Sequence, residues 1–187
     1  MANRLRGAAV YLAGPMTACK DLGRGWREYL TPALEARGIV VLDPTRKPID
    51  VGDEREGVRR RMRELQEAGR LEEVRKWMKT IRRVDLRMVD LSSFLIVRLD
   101  GSQTWGTTEE LVVAIHQQKP VLVWLDGELT LRNVNPWLLS QFPLDHLFES
   151  AADLLAYVAS IDESETHPND RRWQLFHFEK LYAGIWQ

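Results

Sequence analysis

FLIVRLDGSQTWGTTEELVVAIHQQKPVLVWL, residues Phe94 to Leu125, is the stretch on which the fold turns. Its ends, Phe94 to Leu99 and Val121 to Leu125, are short apolar runs bounded by polar residues, as strands buried on both faces read. Between them Asp100 to Trp105 is a polar loop, and a helix is expected to open at Gly106. Leu111, Val112 and Ile115 fall at helical spacing until Lys119-Pro120 ends the pattern. Strand, helix and strand in succession imply parallel strands joined by a helical crossover.

The same alternation extends toward the N-terminus. Ala8 to Leu12 is a small, β-branched and aromatic run closed by Gly14-Pro15, the pattern of a buried strand entering a loop. Trp26, Tyr29, Leu30, Ala33 and Leu34 then mark a helix, Gly38 stops it, and Ile39 to Leu42 is the next strand. Arg55 to Arg83 is densely charged, yet Val58, Met62, Leu65, Leu71, Val74, Trp77, Met78 and Ile81 keep an apolar stripe through it. Two amphipathic helices broken near Gly69, with solvated outer faces, account for this better than a nucleic-acid patch does. Val84, Met88 and Leu91 carry the stripe on, so helix is expected to about Asp90.

On the C-terminal side, Pro136 to Phe142 reads as a short helix, His146 to Phe148 as an edge strand and Ala151 to Ile161 as a helix. Glu163 to Arg171 is a polar linker, and Trp173 to Trp186 is rich in aromatics. An aromatic tail of this kind is expected to dock on its own domain or on a neighbouring subunit. The whole describes one α/β domain over residues 1–187, with a flavodoxin/Rossmann-like parallel sheet, helices on both faces and a helical insertion at about 55–81. Such sheets bind ligands beyond the carboxyl ends of their strands. The loops after Leu12, Leu42, Leu99 and Leu125 are therefore the candidate binding loops, with Asp43 and Asp100 at the mouths of two of them.

Composition narrows the chemistry. With 187 residues and 44% hydrophobic side chains, the chain can bury a sizeable core. Its 26 basic and 27 acidic residues leave a net charge of −1, so no global field favours a nucleic-acid polymer or an anionic membrane. Cys19 is the only cysteine, which excludes an internal disulfide and points to a reducing cytoplasm. The four histidines have no companion thiols to form a zinc site, so no metal is expected. The first apolar run is shorter than a signal core or a membrane span. YLAGPMT is neither a P-loop nor a GxGxxG turn, so no nucleotide cofactor is indicated.

The segment ahead of Ala114 carries the strongest chemical signal, because Thr107 and Thr108 precede two carboxylates, Glu109 and Glu110, at the expected helix start. Helix capping is the plain explanation, since hydroxyls and acids in a first turn satisfy free backbone donors and suit the dipole. The alternative is functional: a carboxylate at a helix start beyond a central strand stands where a ligand would bind.

Four motifs occur in order: VYLAGPMT at Val10 to Thr17, VVLDP at Val40 to Pro44, VDLRMVDLSSFLIV at Val84 to Val97, and TWGTTEELVVA at Thr104 to Ala114. Through them the chain resembles the nucleoside 2-deoxyribosyltransferase family and the related deoxynucleoside 5′-monophosphate N-hydrolases. The resemblance implies that Glu110, in Gly-x-x-x-Glu-Leu with Gly106 as its glycine, is the nucleophile, while Glu109 faces elsewhere. It implies that Asp85 serves proton transfer around the leaving base. Tyr11, Gly14, Pro15 and Met16 would then line the pocket floor, with Asp43, Asp100, Thr104 and Trp105 completing the substrate-facing set. Of Trp26, Trp105 and Trp137, each able to stack on a base, Trp105 is the one expected at the ligand.

This chain also departs from the family. Thr104 stands in the loop where the transferases carry an acid that helps hold the base, with Asp100 as a substitute on the same loop. The charged insertion is longer than in the smallest relatives. The tail ends Gly-Ile-Trp-Gln, where the transferases present a C-terminal carboxylate from the adjacent subunit to the sugar, so Trp186 or Gln187 would have that role.

The chemistry suits these residues. Cleavage of an N-glycosidic bond passes through a sugar of oxocarbenium character, which a carboxylate at the anomeric carbon can stabilise and capture. The base leaves more easily when protonated, and an acid kept protonated in a partly closed pocket, here Asp85, would supply the proton. A second base then completes a transfer, or water completes a hydrolysis, with retention. The implied partners are a 2′-deoxynucleoside and a free nucleobase, with no cofactor. A homo-oligomer, a dimer or higher, is expected from the aromatic tail and the shared site. A non-catalytic nucleotide- or partner-binding module, with Glu110 merely capping its helix, is the reading of another class.

Overall fold

The computed structural model describes residues 2–16, 19, 21–47, 56–102, 104–168 and 172–173. Strands β1 (Ala9–Ala13), β2 (Val40–Leu42), β3 (Phe94–Leu99), β4 (Val121–Leu125) and β5 (Leu147–Phe148) form one parallel sheet in the order β2-β1-β3-β4-β5. This is the flavodoxin-like order, in which the winding reverses between β1 and β3 and a crevice opens beyond their carboxyl ends.

The register pairs Tyr11 with Leu95 and Ala13 with Val97, and the period of two sorts the side chains into two layers. Val10, Leu12, Phe94, Ile96 and Leu122 pack under α1 (Arg24–Glu35) and α6 (Ala151–Glu163). Tyr11, Leu95, Val97, Val121 and Val123 pack under α3 (Leu71–Leu91) and α4 (Trp105–His116). The central runs are apolar at every position but Arg98 because both faces are covered. Each leucine or isoleucine so buried contributes about 1.5–3 kcal/mol.

α2 (Glu56–Glu67) and α3 are separated by a turn at Gly69, whose φ of 69° is readily adopted only without a Cβ. Val89 anchors the C-terminal part of α3 over the sheet, and Ile81 is buried beside the cleft. The charged segment is thus only partly an insertion, since its C-terminal helix is a wall of the domain.

Trp173 is fully buried, its ring 5.0 Å from that of Phe94, and its indole N–H donates to the Tyr157 hydroxyl at 3.3 Å. The start of the aromatic tail therefore docks on its own domain. Trp186 and Gln187, the expected C-terminal contributors, lie outside the described residues, as do Thr17 and Arg55. Short α5 (Pro136–Leu139) follows β4, and no helix among the described residues is long and apolar enough to cross a membrane.

Candidate active site

The loop after β3 ends at Thr104, whose Oγ1 accepts from the Thr107 amide at 3.2 Å and donates to the Thr107 hydroxyl at 2.8 Å. Thr104 is thus the N-cap and α4 begins at Trp105, a residue earlier than the expected Gly106. Glu109 and Glu110 consequently stand in the second turn, not the first. From there a carboxylate is past the free N–H groups of the helix end, so neither glutamate caps it.

Glu110 turns instead toward the sheet, where the Tyr11 hydroxyl donates to its Oε1 at 2.8 Å. Tyr11 is fully buried on β1, and its phenol is held protonated well above its ordinary range. Burial is the main cause, followed by the negative charges of Glu110 and Asp85. The phenol is therefore a constant donor that orients one carboxylate oxygen. Tyr11→Phe is expected to keep the fold and lower turnover about 10- to 100-fold, since a hydrogen bond to a charged group contributes about 1.5–3 kcal/mol. Steady-state rates beside a thermal melt measure both; an unchanged rate would contradict the orienting role.

Glu110 opens on a cleft of ≈ 610 Å³, within the usual size of small-molecule sites. Gly14 and Met16 from the loop after β1 form its floor, Thr104, Trp105 and Gly106 one rim, and α3 the facing wall. At Gly14 a Cβ would lie 2.9 Å from Trp26 Cζ2 and 3.1 Å from the Arg98 carbonyl oxygen, so only glycine lets the backbone pass there. Arg27, fully buried, fixes this floor: its guanidinium donates to the carbonyls of Leu12 at 3.1 Å, Gly14 at 3.2 Å and Gly23 at 2.8 Å.

Asp85 reaches the cleft from α3, but not as an isolated acid. Lys47 Nζ donates to its Oδ1 at 2.7 Å, and the two side chains are only 4% and 13% exposed. An ammonium in contact favours the carboxylate form, a partnership that the expectation of Asp85 as an acid did not include. Arg75, Lys79 and Arg82 line the same wall. Glu109 does not face elsewhere: it lies at the rim and pairs with Arg82, which lowers its carboxyl pKa from the ordinary value.

The structure thus brings together Glu110, Asp85, Gly14, Met16, Thr104, Trp105 and Gly106 around one cleft, with Tyr11 bonded behind Glu110. Asp43 is absent from the cleft lining. It is buried, accepts from the Thr45 amide and hydroxyl at 2.8 Å each, and stands 3.6 Å from Arg27 Nε. Asp100 is not there either, being drawn to Arg98 at 3.3 Å and to the Ser102 amide at 3.0 Å, so it does not replace the acid missing at Thr104. Pro15 is buried outside the lining, its carbonyl accepting from the Cys19 thiol at 3.4 Å. Trp26 belongs to the core, edge-on to Trp124. Trp105 stands at the mouth, 92% exposed.

Sequence reasoning missed Arg27, Lys47 and Arg82. Arg27 had a signal: it shares a helical face with Leu30 and Leu34, so a cation on that face had to be buried. Lys47 had none, because its partner lies 38 residues away. Among the described residues no group of three or more His, Cys, Asp or Glu gathers as a metal site would require.

The sequence matches no family model and no curated protein. Solved structures do match. A 2-deoxyribosyltransferase from Bacillus psychrosaccharolyticus aligns with a TM-score of 0.54 at 17% identity, covering 80% of this chain and 92% of that one. A conserved protein from Enterococcus faecalis V583 aligns with a TM-score of 0.56 at 18% identity, covering 82% and 98%. A CMP N-glycosidase from Clostridium botulinum aligns at 0.48 and 13% identity over 82% and 98%. At these identities the likeness to the first two establishes the fold.

Proposed function

We propose that this chain breaks and remakes the N-glycosidic bond of a 2′-deoxynucleoside, with Glu110 as the nucleophile, as a nucleoside 2-deoxyribosyltransferase does. The observation that carries the reading is the carboxylate of Glu110, oriented by Tyr11 and opening on the cleft at the β1/β3 crevice, with Asp85 on the facing wall. In the first half-reaction a Glu110 oxygen attacks C1′, the C1′–N electron pair departs with the base, and a proton reaches the base through Asp85. In the second, an incoming base gives up its ring proton and displaces Glu110, so the anomeric configuration is retained.

Incubation of a 2′-deoxynucleoside with and without a second base tests transfer directly. Exchange that depends on the acceptor is the expected result; base release at an equal rate without it would replace transfer by hydrolysis. The working form is taken to be a homo-oligomer, a reading supported by Trp105 and Met78, apolar groups left exposed at the cleft mouth.

One observation favours a second reading, hydrolysis of deoxynucleoside 5′-monophosphates: Arg75, Lys79 and Arg82 set cations along the wall that faces Glu110. Arg75 and Arg82 are paired with Glu72 and Glu109, so among the described residues Lys79 is the cation most ready to meet a phosphate. Lys79→Met is expected to raise KM about tenfold for a 5′-monophosphate and leave KM for the nucleoside unchanged, the cost of one phosphate contact. Equal effects on both substrates would remove this reading.

A further inference from the structure

We propose that Lys47 and Asp85 form a proton-storing pair, in which Lys47 holds the proton that the departing base takes up and Asp85 passes it on. The proposal rests on the glycosyl-transfer reading above. Its basis is the contact of Lys47 Nζ with Asp85 Oδ1 at 2.7 Å, in a place where the lysine side chain is 4% exposed and Asp85 lines the cleft. The carboxylate in contact keeps the ammonium charged in the resting pair and stands within reach to receive its proton as the base departs. A carboxylate in water is empty of protons at neutral pH, whereas an ammonium carries one.

The step balances. As Glu110 bonds to C1′, the C1′–N electron pair goes to the base, a proton passes from Nζ to the Asp85 carboxylate, and the resulting acid gives it to the base nitrogen. Lys47 is left as a neutral amine, Asp85 as a carboxylate and Glu110 as an uncharged ester. The ring proton of the incoming base returns by the same route when Glu110 is displaced. Lys47 acts through Asp85 and is thus a positioning residue that also stores charge.

Among the described residues, the charged or titratable groups that line the cleft with Asp85 are Glu110 and Glu109 on α4 and Arg75, Lys79 and Arg82 on α3, with Tyr11 on β1 bonded behind Glu110. Tyr11 stays protonated, and Glu109 is occupied by Arg82. The negative charge of Glu110 opposes ionisation of Asp85, so loss of the ammonium would drive Asp85 toward its acid form.

The test is the pH profile of base release from a 2′-deoxynucleoside for the wild type, Lys47→Met and Lys47→Arg, with folding checked by circular dichroism. The wild type is expected to lose activity only above neutrality, where an ammonium deprotonates. In Lys47→Met the proton must rest on Asp85 alone, so the descending limb moves into the acidic range. Lys47→Arg keeps the ion pair but cannot release a proton, so it stays at least tenfold below wild type at neutral pH. Wild-type rates in Lys47→Arg, or an unmoved limb in Lys47→Met, would overturn the proposal.

If the wild type releases no base at any pH, the glycosyl-transfer reading has failed, and NMR titration of the Asp85 carboxyl carbon decides the pair independently. Removal of the ammonium should raise that midpoint by about 1–3 pH units; an unchanged midpoint overturns the pairing itself. Should Lys47→Met not fold, a wild-type midpoint below the ordinary aspartate value of about 3.9 supports the pair, and one at or above it does not.

Discussion

Glu110→Ala is expected to abolish turnover, by on the order of 10³-fold or more, with the melting transition close to that of the wild type. The reason is positional. Glu110 neither caps α4 nor fills the core: Thr104 is the cap, and the role of Glu110 is to hold a carboxylate between Tyr11 and the cleft. Its removal leaves the Tyr11 hydroxyl without that acceptor but forfeits little packing. Incubation of the wild type with a deoxynucleoside, followed by peptide mass spectrometry, should find a deoxyribosyl adduct on Glu110. A variant that turns over at the wild-type rate would remove the nucleophile assignment.

Arg27→Met is expected to be the most destabilising of the substitutions considered, at about 3–5 kcal/mol. The side chain is fully buried and ties the Leu12, Gly14 and Gly23 carbonyls together while facing Asp43. Methionine fills a similar volume and offers no donor. The three carbonyls lose this donor inside the domain, and Asp43, 5% exposed, keeps only its contact with Arg46 as an ion pair among the described residues. Denaturant unfolding gives the free energy, and the midpoint temperature should fall by roughly 10 °C. Gly14 belongs to both the tied backbone and the cleft floor, so kcat/KM should fall as well. A loss under about 1 kcal/mol would mean that the guanidinium is replaceable and that the floor is fixed by Gly14 packing alone.

The α/β architecture was legible because the periodicities that define it are local. Apolar runs at Phe94 to Leu99 and Val121 to Leu125, and the helical spacing between them, report strands and crossover within a few turns of chain. The start of α4 was misread for an equally local reason. Thr104, Thr107 and Thr108 all suit a cap, and the hydrogen bond from the Thr107 amide selects the first of them. That one-step error brought Glu109 into the first turn, with Glu110 next to it, and made capping look like their purpose.

The sequence alone determined the types and order of the elements, and which carboxylates stood beyond the central strand, because helix and strand patterns repeat over distances shorter than the elements themselves. The tertiary structure alone decided which of those groups act together. It seated Tyr11 against Glu110 across 99 residues and Lys47 against Asp85 across 38, and it turned Asp43 to Arg27 and Asp100 to Arg98. These partnerships depend on which strands lie side by side and which way each side chain faces, and no local period in the chain encodes a contact between distant segments.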